Sequence, residues 1–119
     1  MRRMAFSLTT PQILDQSKTV TRRIGWRFLK PGDMVMAVEQ ARGLKKGEPV
    51  HHLAVLRIVD VRVEPLARLL SEPLYAEDEL PREGFPCWSR DDFVAMFCKT
   101  HGLKTPDADV TRIEFEYAE

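Results

Sequence analysis

Gln16-Ser17-Lys18-Thr19-Val20-Thr21-Arg22-Arg23, followed at once by Ile24-Gly25-Trp26-Arg27, is the stretch on which the reading of this chain turns. It gathers a lysine, two threonine hydroxyls and several guanidinium groups into a short length of chain. Burial turns a lysine toward a base, threonine offers a small hydroxyl, and arginine offers a planar fork for phosphate or carboxylate. The β-branched residues over Thr19 to Ile24 predict a strand. A solvated basic strand edge has the same composition, so spacing and context must decide what the stretch is for.

Working outward, Thr10-Pro11 predicts the start of a short helix over Pro11 to Asp15. Thr10 caps it, Pro11 fills the first helical position, and Ile13 and Leu14 face the core. Arg3 to Leu8 reads as a strand before it. Pro31-Gly32-Asp33 is a turn, and Met34 to Val38 a buried strand. Arg42 to Pro49 reads as an exposed basic loop. His51 to Val63 is the longest strand candidate, apolar on both faces, with a bulge near Arg57. Leu66 to Leu70 is a short helix after Pro65. Glu72 to Pro86 carries Pro73, Pro81 and Pro86 and an acidic run, and is read as an ordered loop holding at most a helical turn. Ser89 opens the clearest helix, with Asp92 three residues on, Trp88 and Phe93 placed for a hydrophobic staple, and Gly102 at its end. Phe93, Val94, Met96 and Phe97 form its apolar face and read as core. Thr111 to Tyr117 alternates, with Ile113, Phe115 and Tyr117 facing one way and Arg112, Glu114 and Glu116 the other.

The 119 residues make a single domain, 1–119, of α+β class: a small β-barrel of about five or six strands with short helices packed against it. No apolar run is long enough for a membrane span, and the N-terminus lacks a signal peptide's apolar stretch, so a cytoplasmic protein is expected. Cys87 and Cys98, eleven positions apart, have no histidine at ligand spacing near both. Free thiols suit a reducing compartment. Up to Glu48 there are ten basic residues against four acidic ones, a surplus of six, and the neutral total gives the remainder the opposite surplus. Gathered on one surface, the basic half would attract a polyanion such as RNA; dispersed, it would only solubilise.

Phosphate-loop, zinc-protease and nucleophile-elbow signatures are absent. His51 and His52 open a strand, where neighbours point to opposite faces, and read as surface residues. His101 lies in a last helical turn, where its cation suits the helix dipole. The pattern Gln16-x-Lys18-x-x-Thr21-x-Arg23 resembles the Gly-x-Lys-x-x-Thr-x-Arg motif of the ASCH domain, a small barrel similar to the PUA fold. Ile13-Leu14-Asp15, Lys30-Pro31-Gly32-Asp33, Glu64-Pro65-Leu66 and Glu83-Gly84-Phe85 follow the family's order. Gln16 replaces the family glycine, which strains the turn if φ is positive there.

The resemblance implies an RNA-binding cleft or, as in some members of similar size, an amidohydrolase that deacylates N(4)-acetylcytidine. Carried over residue by residue, its catalytic groups are Lys18, Thr21 and Glu83, with Glu77 or Glu79 as substitutes for the last. No metal or other cofactor is implied. Arg22, Arg23, Trp26, Arg27, Lys45 and Lys46 are the candidates for holding RNA or a modified nucleoside, Trp26 by stacking on a base or else by packing in the core. Two readings stay open, an amidohydrolase on N(4)-acylated cytidine and a non-catalytic single-stranded RNA-binding module. A ribonuclease is a weaker third, since no histidine pair is placed for acid and base.

Overall fold

A computed structural model describes residues 1–41 and 43–118. Arg42, counted above in the basic half and its loop, lies outside the described residues. Five strands form one mixed sheet: β1 (Arg2–Ala5), β2 (Val20–Arg23), β3 (Met34–Val38), β4 (His52–Pro65) and β5 (Asp109–Tyr117). Their order across the sheet is β1-β3-β4-β5-β2, with β1 parallel to β3 and the other neighbours antiparallel. The sheet curls into a half-barrel, and helices pack against it. The α+β class and the β3 boundaries are as the sequence predicts. The bulge falls between Ile58 and Asp60, just past Arg57. No helix among the described residues is long and apolar enough to cross a membrane.

The helices are α1 (Thr10–Leu14), α2 (Arg68–Ser71), α3 (Pro73–Glu83) and α4 (Arg90–His101). Two apolar clusters divide the interior. One, around Phe6, Ile13, Leu56, Ile58 and Phe115, fills the curl of the sheet. The other, around Leu66, Leu69, Leu80, Phe93 and Phe97, joins the helices to the end of β5 through Val110. Burying such side chains supplies about 1.5–3 kcal/mol each before ordering costs.

Four local readings need correction. The first strand stops at Ala5, and Ser7–Thr9 is a 3-10 turn leading into α1. Thr10 is the first residue of α1, and its hydroxyl donates to the Phe6 carbonyl instead of capping the free amides. Leu14 is 62% exposed, so only Ile13 reaches the core. The ring packed edge-on to Phe93 is Phe85, at 5.4 Å, and Trp88 packs on Phe85.

The largest correction is α3, an eleven-residue helix where a loop is expected. Pro73 sits in its first turn, where no amide hydrogen is needed, and Pro81 falls near its end. Its buried face is Ala76, Glu79, Leu80 and Glu83, a helical period in which two members are glutamates. Gly84 ends it with φ +96°, and a Cβ there would lie 3.1 Å from Gln12 Cγ. The chain therefore turns at the one residue that tolerates both demands.

The candidate cleft

Lys18 is fixed by backbone bonds on both sides before its side chain does anything. Its amide donates to Gln12 O at 3.1 Å, the next amide, of Thr19, donates to Arg82 O at 2.8 Å, and Tyr117 Oη donates to the Lys18 carbonyl at 2.6 Å. The turn into this segment holds Gln16 at φ +64°, the left-handed conformation that a glycine would take without strain. The Lys18 side chain, 3% exposed, points to the end of α3. Its Nζ donates to the Glu83 carbonyl at 2.6 Å and to Glu83 Oε1 at 3.0 Å. Burial holds the Lys18 ammonium below the ordinary lysine range, and the attraction of Glu83 only partly opposes it.

Alternation along β2 separates its next three side chains. Thr21 and Arg23 share a face, and Arg23 Nε donates to Thr21 Oγ1 at 3.1 Å. Arg23 also donates to the Ala5 carbonyl at 2.6 Å and lies 4.6 Å from the centre of the Phe6 ring. Burial, weakly opposed by Glu83, lowers its guanidinium pKa to about 10. Arg22 turns the other way into a layer of carboxylates. Its Nη1 donates to Glu83 Oε2 at 3.0 Å, and its Nη2 donates to Glu79 at 2.6 Å, Tyr75 at 3.0 Å and Glu64 at 3.2 Å. Burial works against this cation, but Glu83 and Glu79 outweigh it and hold it above the ordinary arginine value. Arg112 closes the layer from β5, donating to Glu79 at 2.6 and 2.8 Å. Burial opposes the Glu79 charge, and the two guanidiniums overcome it, bringing its pKa to about 2.

Lys18, Thr21, Arg22, Arg23 and Glu83 line a single cleft of about 230 Å³. It opens where the two apolar clusters meet, walled by Phe6 and Leu8 on one side and by Phe85, Phe93, Met96 and Phe97 on the other, with Thr100 and His101 also in its lining. The aromatics of α4 are core, as expected, and also form this wall. His101 lies on the Phe97 ring at 4.2 Å, and burial and Arg23 lower its pKa, which weakens the expected cationic role at the helix end.

The structure thus brings together the three candidate catalytic residues and two of the candidate binding residues. It does not bring the rest. Trp26, at φ +61°, packs against the sheet cluster and near Phe28, as the core alternative had it. Arg27, Lys45 and Lys46 are exposed and outside the cleft lining. Glu77 is exposed; Glu79 is buried but is turned to Arg22 and Arg112. Sequence reading missed Glu64, Tyr75 and Arg112. Glu64 closes the long strand in a quoted motif, but nothing in its composition shows that a guanidinium waits behind it. Among the described residues no group of three or more His, Cys, Asp or Glu is arranged to hold a metal ion.

Known structures share this architecture. A crystal structure of a protein from Enterococcus faecalis V583, of the family DUF984, superposes with a TM-score of 0.68 at 14% identity, covering 98% of this chain and 79% of that one. The hypothetical protein PH0355 gives 0.64 at 15% identity, over 98% and 97% of the two chains. An ASCH domain from Lactobacillus crispatus JV V101 gives 0.58 at 14% identity, over 98% and 78%. No protein family profile matches the chain, and no curated protein does. Identities this low speak for architecture alone. The chain has the ASCH-like fold, of PUA type, that its Lys18-Thr21-Arg23 motif anticipates.

Proposed function

We propose that the cleft binds an N(4)-acylated cytidine and hydrolyses its amide, with Thr21 as nucleophile, Lys18 as base and Glu83 holding Lys18. The observation that carries this reading is the hydrogen bonding of Lys18 Nζ. A neutral amine has two N–H bonds and one lone pair. Both Glu83 acceptors, carbonyl and carboxylate, can be served by those two N–H bonds, which leaves the lone pair free. Burial favours that neutral form. Thr21 Oγ1, as acceptor from Arg23, keeps its own proton to give away.

In this mechanism the Thr21 proton passes to Lys18 Nζ as Oγ1 attacks the acyl carbon. The negative charge that develops on the acyl oxygen is stabilised by the Arg23 guanidinium, which among the described residues has no carboxylate hydrogen-bonded to it and whose charge is available. Collapse breaks the C–N bond, and the Lys18 ammonium returns its proton to the exocyclic nitrogen. Cytidine leaves and the acyl group remains as a threonine ester. Water, deprotonated by Lys18, then releases the carboxylic acid and restores Thr21. The small cleft with apolar walls has room for one base-sized group, and the exposed Lys45 and Lys46 are not part of it.

The test is to incubate the protein with N(4)-acetylcytidine and follow cytidine by chromatography, beside Thr21→Ala and Lys18→Met. Turnover that both substitutions remove supports the assignment. Turnover that survives Lys18→Met removes the lysine from the mechanism. Absence of turnover in the unsubstituted protein leaves RNA binding as the account to pursue.

A further inference from the structure

The hydrolytic reading uses Glu83 but leaves unexplained the costly layer behind it, in which Glu64, Glu79, Arg22 and Arg112 are all buried. We propose that Glu79, held by Arg112, is a positioning residue for the cleft: through Arg22 it governs how Glu83 divides its charge between Arg22 and Lys18. This inference rests on the proposed role of Lys18 as base.

The geometry is a chain of alternating charge. Glu83 gives Oε1 to Lys18 and Oε2 to Arg22, each at 3.0 Å. If Glu83 served Lys18 alone, its full charge would hold the proton on the ammonium. Sharing with Arg22 weakens that hold. Arg22 would overdo the effect were it not itself neutralised, and Glu79 at 2.6 Å and Glu64 at 3.2 Å do this. Arg112 in turn grips Glu79 by two bonds, so the Glu79 carboxylate is shared as Glu83 is. Glu79 and Arg112 are absent from the cleft lining and act only through their neighbours.

The charged groups around Lys18 are Glu83 from α3 and Arg22 and Arg23 from β2, with His101 of α4 reaching it only by way of Arg23. Around Glu79 they are Arg22 from β2, Arg112 from β5 and Arg82 of α3 at 3.4 Å. Glu64 of β4 and Tyr75 of α3 share Arg22 with it. Arg112 also meets Glu114 at 3.1 Å and Asp60 at 3.8 Å.

Removing one charge at either end therefore moves the Lys18 titration in opposite directions. Glu79→Gln leaves Arg22 and Arg112 less compensated and repels the Lys18 proton. Its titration falls by about one pH unit, the effect of a unit charge over roughly 10 Å at an effective dielectric of about 20. Arg112→Gln takes away a positive charge, and the titration rises. The measurement is side-chain NMR of the Lys18 ammonium across pH, its signal assigned by loss in Lys18→Met, with the pH profile of kcat/KM for N(4)-acetylcytidine alongside. Opposite shifts support the relay, since a merely structural layer would lower stability in both variants without moving the titration. If Glu79→Gln does not fold, Arg112→Gln, which leaves Glu79 paired with Arg22, carries the test. A Lys18 titration that stays in place in folded Arg112→Gln, or moves downward, overturns the proposal. The NMR readout needs no substrate, so a protein that fails to hydrolyse acetylcytidine can still show the relay. Hydrolysis with an unmoved titration sinks the relay and leaves the proposed activity standing.

Discussion

Arg22 and Arg23 are neighbours on one strand, both turned inward, yet they sit in opposite electrostatic worlds. Arg22 faces Glu64, Glu79 and Glu83 and is held above the ordinary guanidinium range. Arg23 faces the Ala5 carbonyl, the Thr21 hydroxyl and the Phe6 ring, and burial lowers it to about 10. The difference lies in the acceptors: among the described residues Arg22 is bonded to three carboxylates and a tyrosine hydroxyl, and Arg23 to neutral groups alone. The alternation of a strand is what lets adjacent residues take up both settings.

The sharpest break of the comparison is in activity. Lys18→Met should reduce hydrolysis of N(4)-acetylcytidine by about 10²–10⁴-fold, the range of a positioned base, in steady-state assays. Arg23→Gln should cost about 10²–10³-fold in kcat, as loss of an oxyanion donor does, with little change in the denaturation midpoint. An Arg23→Gln protein that is fully active would place the guanidinium outside the chemistry.

Stability should divide the pair the other way. Arg22→Met strands buried carboxylates without their cation and should lose about 3–5 kcal/mol in denaturant unfolding. Arg23→Met removes a desolvated cation that has no carboxylate bonded to it among the described residues, and should lose less than about 1 kcal/mol. Equal losses would erase the distinction drawn here.

Acid sharpens it further. Glu79 has its folded pKa depressed to about 2 from the ordinary carboxylate value of 4.5. A depressed carboxylate contributes stability that is complete above its unfolded pKa and fades as pH falls through the folded one. The midpoint of thermal unfolding should therefore fall progressively as pH drops from about 4.5 to 2, and Glu79→Gln should flatten that slope. Lys18 has the same sign in a higher pH window. Its lowered folded pKa means that the chain binds more protons unfolded than folded between that value and 10.5, so its contribution to stability rises with pH across that window. The smallest effect is expected far from the cleft: Lys45→Ala with Lys46→Ala should leave stability within about 0.5 kcal/mol and nucleoside turnover unchanged. A loss of turnover there would extend the site to the loop.

How much of this was legible can be read from individual residues. The β3 strand and the α4 helix were, because a continuous apolar run, a Ser89 cap that accepts the Asp92 amide at 3.1 Å and a left-handed Gly102 are all local signals. The turn at Gln16 was legible as a site of strain. Helix α3 was not, because periodicity looks for apolar residues and its buried face spends two of its positions on Glu79 and Glu83. The burial of Arg112 was not legible for the same reason: alternation shows which face it shares but not that Glu79 waits there to neutralise it, and its side chain is 2% exposed against Glu79.

By itself, the sequence determined the α+β class, the placement of most strands and the spacing that sets Lys18 just before β2 and Thr21 and Arg23 on one face of it. Each depends on interactions within a few residues, which composition and period record. Only the tertiary structure decided which glutamate meets Lys18, which guanidinium is bonded to neutral groups alone among the described residues, and that Lys45 and Lys46 fall outside the cleft lining. Those outcomes depend on pairs far apart in the chain, such as Lys18 with Glu83 and Glu79 with Arg112, whose buried charges become affordable only after folding brings each its partner.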